Sequence, residues 1–198
     1  MLAVALALPL GGALLIPLLG RWPNLRESVT LLLSGGVFLV VGGLAGQVLS
    51  GGRPGLQLIE VLPGLFLAFE LEPLGLLFAL VASGLWILTS AYSIGYMRSH
   101  GEEHQTRYYA FFAVAIAGAL GVAFARNMFT LFLFYEMLTL STYPLVTHHG
   151  DERARRAGRV YLGVLLSTSI GLLLLAMLWT WQIAGTLEFR PGGILGGK

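Results

Sequence analysis

Polar residues in this chain are gathered between long apolar runs instead of being spread along them. The runs cover about 2–20, 28–49, 74–97, 108–125, 128–147 and 160–184. Each approaches the ~20 residues that cover a hydrocarbon core of ~30 Å at 1.5 Å per residue. The pattern predicts an all-α membrane protein of about six transmembrane helices, forming a single membrane domain over 1–198. The first run has no charge before it and Arg21 and Arg26 after it, the reverse of a signal peptide, so it reads as an uncleaved helix. Between 50 and 73 the character changes. Gly51, Gly52, Pro54, Gly55, Pro63 and Gly64 punctuate two short pieces, LQLIEVL and LFLAFELE, that alternate with period two near their ends. This predicts a short β-hairpin over about 55–72, turning at Pro63-Gly64 and lying at the membrane surface between helices two and three. Its acids, Glu60, Glu70 and Glu72, read as a solvated face, with a cation funnel as the alternative. Residues 185–198 make a glycine-rich tail too short to span.

Within the runs, small residues suggest where helices meet. Gly35, Gly36, Gly42, Gly43 and Gly46 mark a packing face on helix two. Ala113, Ala117, Gly121 and Ala125 do so at spacing four on helix four, and Gly163, Ser167 and Gly171 on helix six. Such residues let backbones approach closely in lipid. The turn Arg126-Asn127 is so short that helices four and five must be antiparallel neighbours. Asn24 reads as a cap for helix two, with Glu27 in its first turn.

Composition sharpens this reading. The chain is 56% hydrophobic and 11% charged, with mean hydropathy +0.79, against roughly 25% charged residues in soluble domains. With no cysteine, neither a disulfide nor a thiolate or iron–sulfur site can be built, and no nucleotide motif is present. No cofactor is expected, and the chain is not read as an enzyme. The net charge of +2 does not point to nucleic acid, because the basic residues sit in short loops and set topology. Arg21, Arg26, Arg98, Arg107, Arg153, Arg155, Arg156 and Arg159 follow helices one, three and five, whereas Arg53, Arg126, Arg190 and Lys198 lie on the other side. Under the positive-inside rule this places both termini outside; the membrane is taken as a bacterial cytoplasmic (inner) one. His100 and His104 have helical metal spacing with Glu103 nearby, but Gly101 and two histidines alone do not close a zinc site, so no metal is expected.

The chemistry concentrates on helix five, where the run over 127–145 holds one carboxylate, Glu136. An ionisable group at mid-membrane costs roughly 2.5–3.5 kcal/mol on insertion scales, so it is by default a functional-site hypothesis. The plainer alternative is a carboxylate hydrogen-bonded between helices. Helical geometry gathers Thr139 and Tyr143 on its face and Tyr135 and Thr142 beside it. Pro144 removes a backbone donor and frees the carbonyl of Leu140, a helix break that can hold water. Ser167 on helix six could hydrogen-bond across or hold water. His148 and His149, just past helix five, could pass protons from water, though loop histidines are more often merely solvated.

Three stretches then carry a resemblance: QTRYYAFFA from Gln105, LFLFYEMLTLSTYPLV over 131–146 and GRVYLGVLLSTSIGLLLL from Gly158. Together they resemble the N-terminal part of the antiporter-like membrane subunits shared by respiratory complex I, membrane-bound hydrogenases and Mrp-type sodium/proton antiporters. FYEMLTLSTYPLVTH is similar to the Mrp D-subunit type. The resemblance implies a subunit of a multisubunit cation/proton antiporter-like complex that contributes the glutamate half of a translocation pathway. In that family the glutamate matching Glu136 pairs with a lysine on a later, broken helix. The sole lysine here is Lys198, so the implied partner is another membrane subunit supplying that lysine. Three accounts of the missing part stand: a fragment, a naturally split subunit, or a reduced relative. The competing functions are a non-conducting assembly scaffold and a proton-pumping subunit of a complex I-like oxidoreductase, any redox activity then belonging to partner subunits.

Overall fold

The structure is a computed structural model and describes residues 1–196; Lys198 lies outside the described residues. It is mostly helical: α1 Leu2–Leu18, α2 Pro23–Leu49, strands β1 Gly55–Leu62 and β2 Leu65–Glu70, then α3 Pro73–His100, α4 Gln105–Ala123, α5 Met128–Val146 and α6 Glu152–Thr168. A π-helical stretch, Ser169–Leu174, joins α6 to α7 Leu175–Ala184. Among the described residues five helices are long and apolar enough to cross a membrane, the last being the continuous rod Glu152–Ala184; α1 is shorter and equally apolar. The protein is an integral membrane protein.

Three helices begin earlier than their hydrophobic runs, α4 by three residues at Gln105 and α2 and α6 by more. Pro23, with its φ already helical and no N–H to lose, starts α2. Asn24 is therefore inside the helix, where it accepts from Arg98, and does not cap it. Asp151 caps α6, its Oδ1 accepting from Ala154 N at 2.6 Å, so the arginine cluster expected in a loop occupies the first helical turns. At 1.5 Å per residue a rod of 33 residues is about 50 Å long against a core of ~30 Å, so those turns project beyond the bilayer.

Packing centres on α1, which lies against both α2 and α4. Its buried positions, Leu2, Ala5, Leu6, Pro9, Gly12 and Ile16, follow the helical repeat and meet Val37, Val41 and Leu44 of α2 and Ala113 and Leu120 of α4. The fourth-helix stripe is buried as expected at Ala113, Ala117 and Gly121. The other two seams differ. On α2 a Cβ at Gly36 would lie 3.7 Å from Leu8 and one at Gly43 3.2 Å from Met1, both of the α1 segment, whereas Gly35, Gly42 and Gly46, like Gly163 and Gly171 of the last rod, have nothing within contact of a Cβ.

The hairpin is antiparallel, pairing Gly55 with Glu70 and Leu62 with Leu65. Gly64 at φ +79° makes the turn after Pro63, and its N–H donates to Glu60 Oε1. Strand β1 is exposed while β2 buries Leu65, Ala68 and Phe69. The inner strand rests on the connection between α4 and α5. Glu70 N donates to Phe124 O at 2.7 Å and Arg126 N to Ala68 O at 3.0 Å; Met128 N donates to Leu187 O and Phe189 N to Arg126 O. The tail is thus the third layer of a small clamp. Glu70 and Glu72 are neutralised there by Arg53 at 3.6 and 2.7 Å, with Arg126 3.7 Å from Glu70, which favours a paired surface over a cation funnel.

Candidate functional site

Asn127 is the anchor of α5. Its Oδ1 accepts from Thr130 N at 2.8 Å, the N-cap bond. Its Nδ2 donates to Phe66 O at 2.8 Å, and Thr130 Oγ1 accepts from Ala68 N at 3.0 Å. One buried amide and one buried hydroxyl thereby fix the start of the helix to the hairpin. Below them α4 and α5 close up at two glycines. A Cβ on Gly118 would stand 3.0–3.1 Å from Leu138 Cβ, Cα and N, and one on Gly121 would enter the Phe134 ring. Phe134 in turn packs edge-on against Phe69, with centroids 5.3 Å apart.

Glu136 is therefore carried on a helix fixed in height and rotation. The residue is partly buried, and its Oε1 is shielded without a hydrogen-bond partner among the described residues. Nearby hydroxyls are committed to their own helix: Ser141 donates to Leu138 O, Thr142 to Thr139 O and Thr147 to Tyr143 O, at 2.7–2.8 Å. Thr139 is buried and Tyr135 half-buried. The helix continues through Pro144 to Val146. Tyr143 reaches α6, where a Cβ on Gly158 would lie 3.2 Å from its ring and 2.3 Å from Thr147 Cγ2.

Seven residues separate Glu136 from Tyr143, so the two share a face about 10 Å apart along the axis. The same climb on the antiparallel α6 leads from Gly158 to about Leu165, close below the π-helical stretch. Backbone irregularity of this kind inside a helix is frequent at functional sites. Ser167 itself is exposed, whereas Ser169 is buried. The π stretch was not read from the sequence, although three successive hydroxyl residues followed by Gly171 were the available signal.

At the opposite end from the hairpin, the connections after α1, α3 and α5 come together. Arg26 and Glu27 are both buried and 3.2 Å apart, and Glu27 also takes a bidentate contact from Arg98. Arg26 donates to Gln105 Oε1 at 2.8 Å and Thr106 Oγ1 at 2.9 Å and lies over the Tyr109 ring. Glu27 was expected in the first turn of helix two; the earlier start of α2 puts it beyond that turn, and together with Arg26 it ties α2 to α3 and α4. Beside it Arg107 donates to the His148 carbonyl at 2.8 Å. Burial, and then Arg107, hold the His148 imidazole below its ordinary range, with the Glu102 carboxylate acting the other way. His148 and His149 adjoin, with ring centroids 6.0 Å apart. His100 instead stacks on Tyr96.

The structure is a helical membrane bundle with a docked hairpin and a mid-helix carboxylate. The comparisons agree with the resemblance to the antiporter-like membrane subunits of the Mrp and complex I kind. Residues 125–191 match the family described as NADH:quinone oxidoreductase/Mrp antiporter, TM. The chain is 30% identical over 158 residues to Na(+)/H(+) antiporter subunit A1 of Staphylococcus aureus, a match covering 78% of this chain and 19% of that protein. It thus spans about a fifth of the length of the curated relatives it matches. These relatives are A subunits while the helix-five phrase resembles the D type, and the matches do not separate the two. The fold is similar to a chain of the Mrp complex from Dietzia sp. DQ12-45-1b, with TM-score 0.80 and 23% identity over 94% of this chain and 35% of that one. It is similar as well to a chain of the membrane-bound sulfane sulfur reductase, an archaeal respiratory membrane complex, with TM-score 0.78, 23% identity and coverage of 94% and 38%.

Proposed function

We propose that this chain contributes the carboxylate half of a proton or cation pathway in a multisubunit antiporter-type membrane complex. The observation that carries the reading is the Glu136 carboxylate, held on a helix anchored at its cap and along α4, with a shielded oxygen that has no partner among the described residues. Leaving such an acceptor unpaired costs about 1–3 kcal/mol, more when it is charged, so the site is built for a donor brought by another segment. On this reading the donor is a lysine of a neighbouring subunit or of a longer stretch of the same subunit. An opposite charge within about 4–6 Å favours the charged form of both groups, and separating them releases or takes up a proton.

Tyr135, Thr139 and Tyr143 line the water path beside Glu136, and Pro144 loosens the backbone on the same side. Ser167, which faces outward here, joins the path only where a neighbour packs on α6. His148 and His149 collect protons at the end rich in arginine. That end is taken as cytoplasmic, with both termini outside in the bacterial cytoplasmic membrane. The chain is a transport component, and any redox step belongs to partner subunits.

The test is Glu136→Gln in the intact complex, with ion-driven pH changes followed in vesicles and assembly checked by subunit recovery. Transport is expected to fall by at least about tenfold with assembly intact, in keeping with loss of a positioned proton-transfer group. Unaltered transport removes the pathway reading, and lost assembly favours the scaffold.

A further inference from the structure

Three titratable side chains from two separate connections converge at the arginine-rich end. Glu102 lies between α3 and α4, and His148 and His149 follow α5. Glu102 Oε2 stands 3.9 Å from His148 Nε2 and 3.9 Å from His149 Nδ1. Exposure is graded across the three: the His149 side chain is 73% exposed, Glu102 18% and His148 13%. Both ring nitrogens of His148 are shielded and have no hydrogen-bond partner among the described residues, so the inner imidazole is able to accept and to donate.

The carboxylate is held in place from its own backbone. Glu102 N donates to Met97 O at 3.0 Å, and Glu102 O accepts from Gln105 Nε2 at 3.0 Å. It also lines a polar cavity of about 480 Å³ with Arg26, Glu27, Arg98 and His104, which gives water access. The gaps of 3.9 Å are too long for direct hydrogen bonds and suit a bridging water or a small side-chain adjustment.

We propose that Glu102 is a proton-transfer residue, the middle member of an uptake site that passes protons from the outer His149 to the inner His148. The inference rests on the pathway reading above and adds the group that links the two histidines. In the forward direction the His149 imidazolium gives its Nδ1 proton to Glu102 Oε2. The resulting carboxylic acid gives that proton to neutral His148 at Nε2, restoring the carboxylate. His148 is faced by Arg107, whose charge opposes protonation, by Glu102, which favours it, by His149 and His104, and by the Tyr108 ring 5.9 Å away. Opposed influences of this kind keep the inner imidazole a transient proton holder. Glu136 lies twelve residues back along α5, about 18 Å, so this site serves only the water-facing end of the path.

The experiment compares Glu102→Gln, Glu102→Asp and Glu136→Gln in the intact complex, with transport measured against pH. His148 is followed separately by the pH dependence of its carbethoxylation, read by mass spectrometry. Glu102→Gln is expected to slow transport most on the alkaline side, where protons are scarce, by about tenfold, below the ~10²–10⁴ of a group at the reacting atom. Glu102→Asp should restore much of the rate. The His148 midpoint should move down in Glu102→Gln, because the neighbouring carboxylate that favours imidazolium is gone. A wild-type pH profile in Glu102→Gln, with transport lost in Glu136→Gln, overturns this inference alone; intact transport in Glu136→Gln overturns the reading beneath it. If Glu102→Gln fails to assemble, His149→Gln at its exposed position takes its place, with the same alkaline loss expected and an unchanged profile overturning the proposal.

Discussion

Replacing Glu27 by alanine is expected to cost about 3 kcal/mol of stability, the lower end of the ~3–5 kcal/mol lost when one member of a buried ion pair is removed. The side chains of Arg26 and Glu27 are each 5% exposed and 3.2 Å apart. Without the carboxylate, Arg26 remains a buried cation. It keeps Gln105, Thr106 and the face of Tyr109, and these neutral contacts hold the loss to the low end. Arg98, half-exposed, turns to water. The sharper expectation concerns the pair: Arg26→Met with Glu27→Leu removes both charges and leaves no buried ion. The double variant should therefore be more stable than Glu27→Ala alone, since apolar replacements of buried pairs are often neutral or stabilising by ~1–4 kcal/mol. Reversible unfolding in mixed micelles, read through the buried Trp86, gives both numbers. A Glu27→Ala variant within about 0.5 kcal/mol of wild type, the range of ordinary surface changes, would refute the argument. A double variant as unstable as the summed single losses would do the same.

Two further expectations use the same assay. Gly118→Val pushes a side chain into Leu138, backbone included, and should cost about 1–3 kcal/mol as overpacking, whereas Gly163→Ala, with open space around it, should stay within about 0.5 kcal/mol; equal effects would contradict the assigned seam. His148 is held below its ordinary 6.5 by burial first, so the unfolded chain binds more protons there. Stability contributed by the neutral imidazole is then present above about pH 6.5 and lost as the pH falls through and below that value, and His148→Gln should flatten the profile.

Much of the architecture was legible because membrane helices must satisfy their backbone internally, so hydropathy alone marks them. The hairpin was legible from Pro63-Gly64 and its alternating flanks. The starts of α2 and α6 were not, because charged residues outside the bilayer continue a helix without cost, and only Pro23 and Asp151 signalled it. Glycine spacing identified the α4 face but only part of α2, where Gly36 and Gly43 meet α1 and the other three glycines do not, since a stripe does not say whether a helix or lipid lies opposite. Glu136 stood out by chemistry. The involvement of Glu27 and Glu102 depended on Arg98 and His148, partners far along the chain, and no local pattern encodes such contacts.

The clamp around residues 124–127 has a consequence for how the protein is made. Its three layers come from 66–70, from the α4–α5 connection and from 187–189, and the last of these leaves the ribosome only after the rod Glu152–Ala184. A nascent chain halted before that point already holds α5 through Asn127, the hairpin and the glycines of α4, so the third layer closes over a helix whose height is set and acts as a late lock on biogenesis.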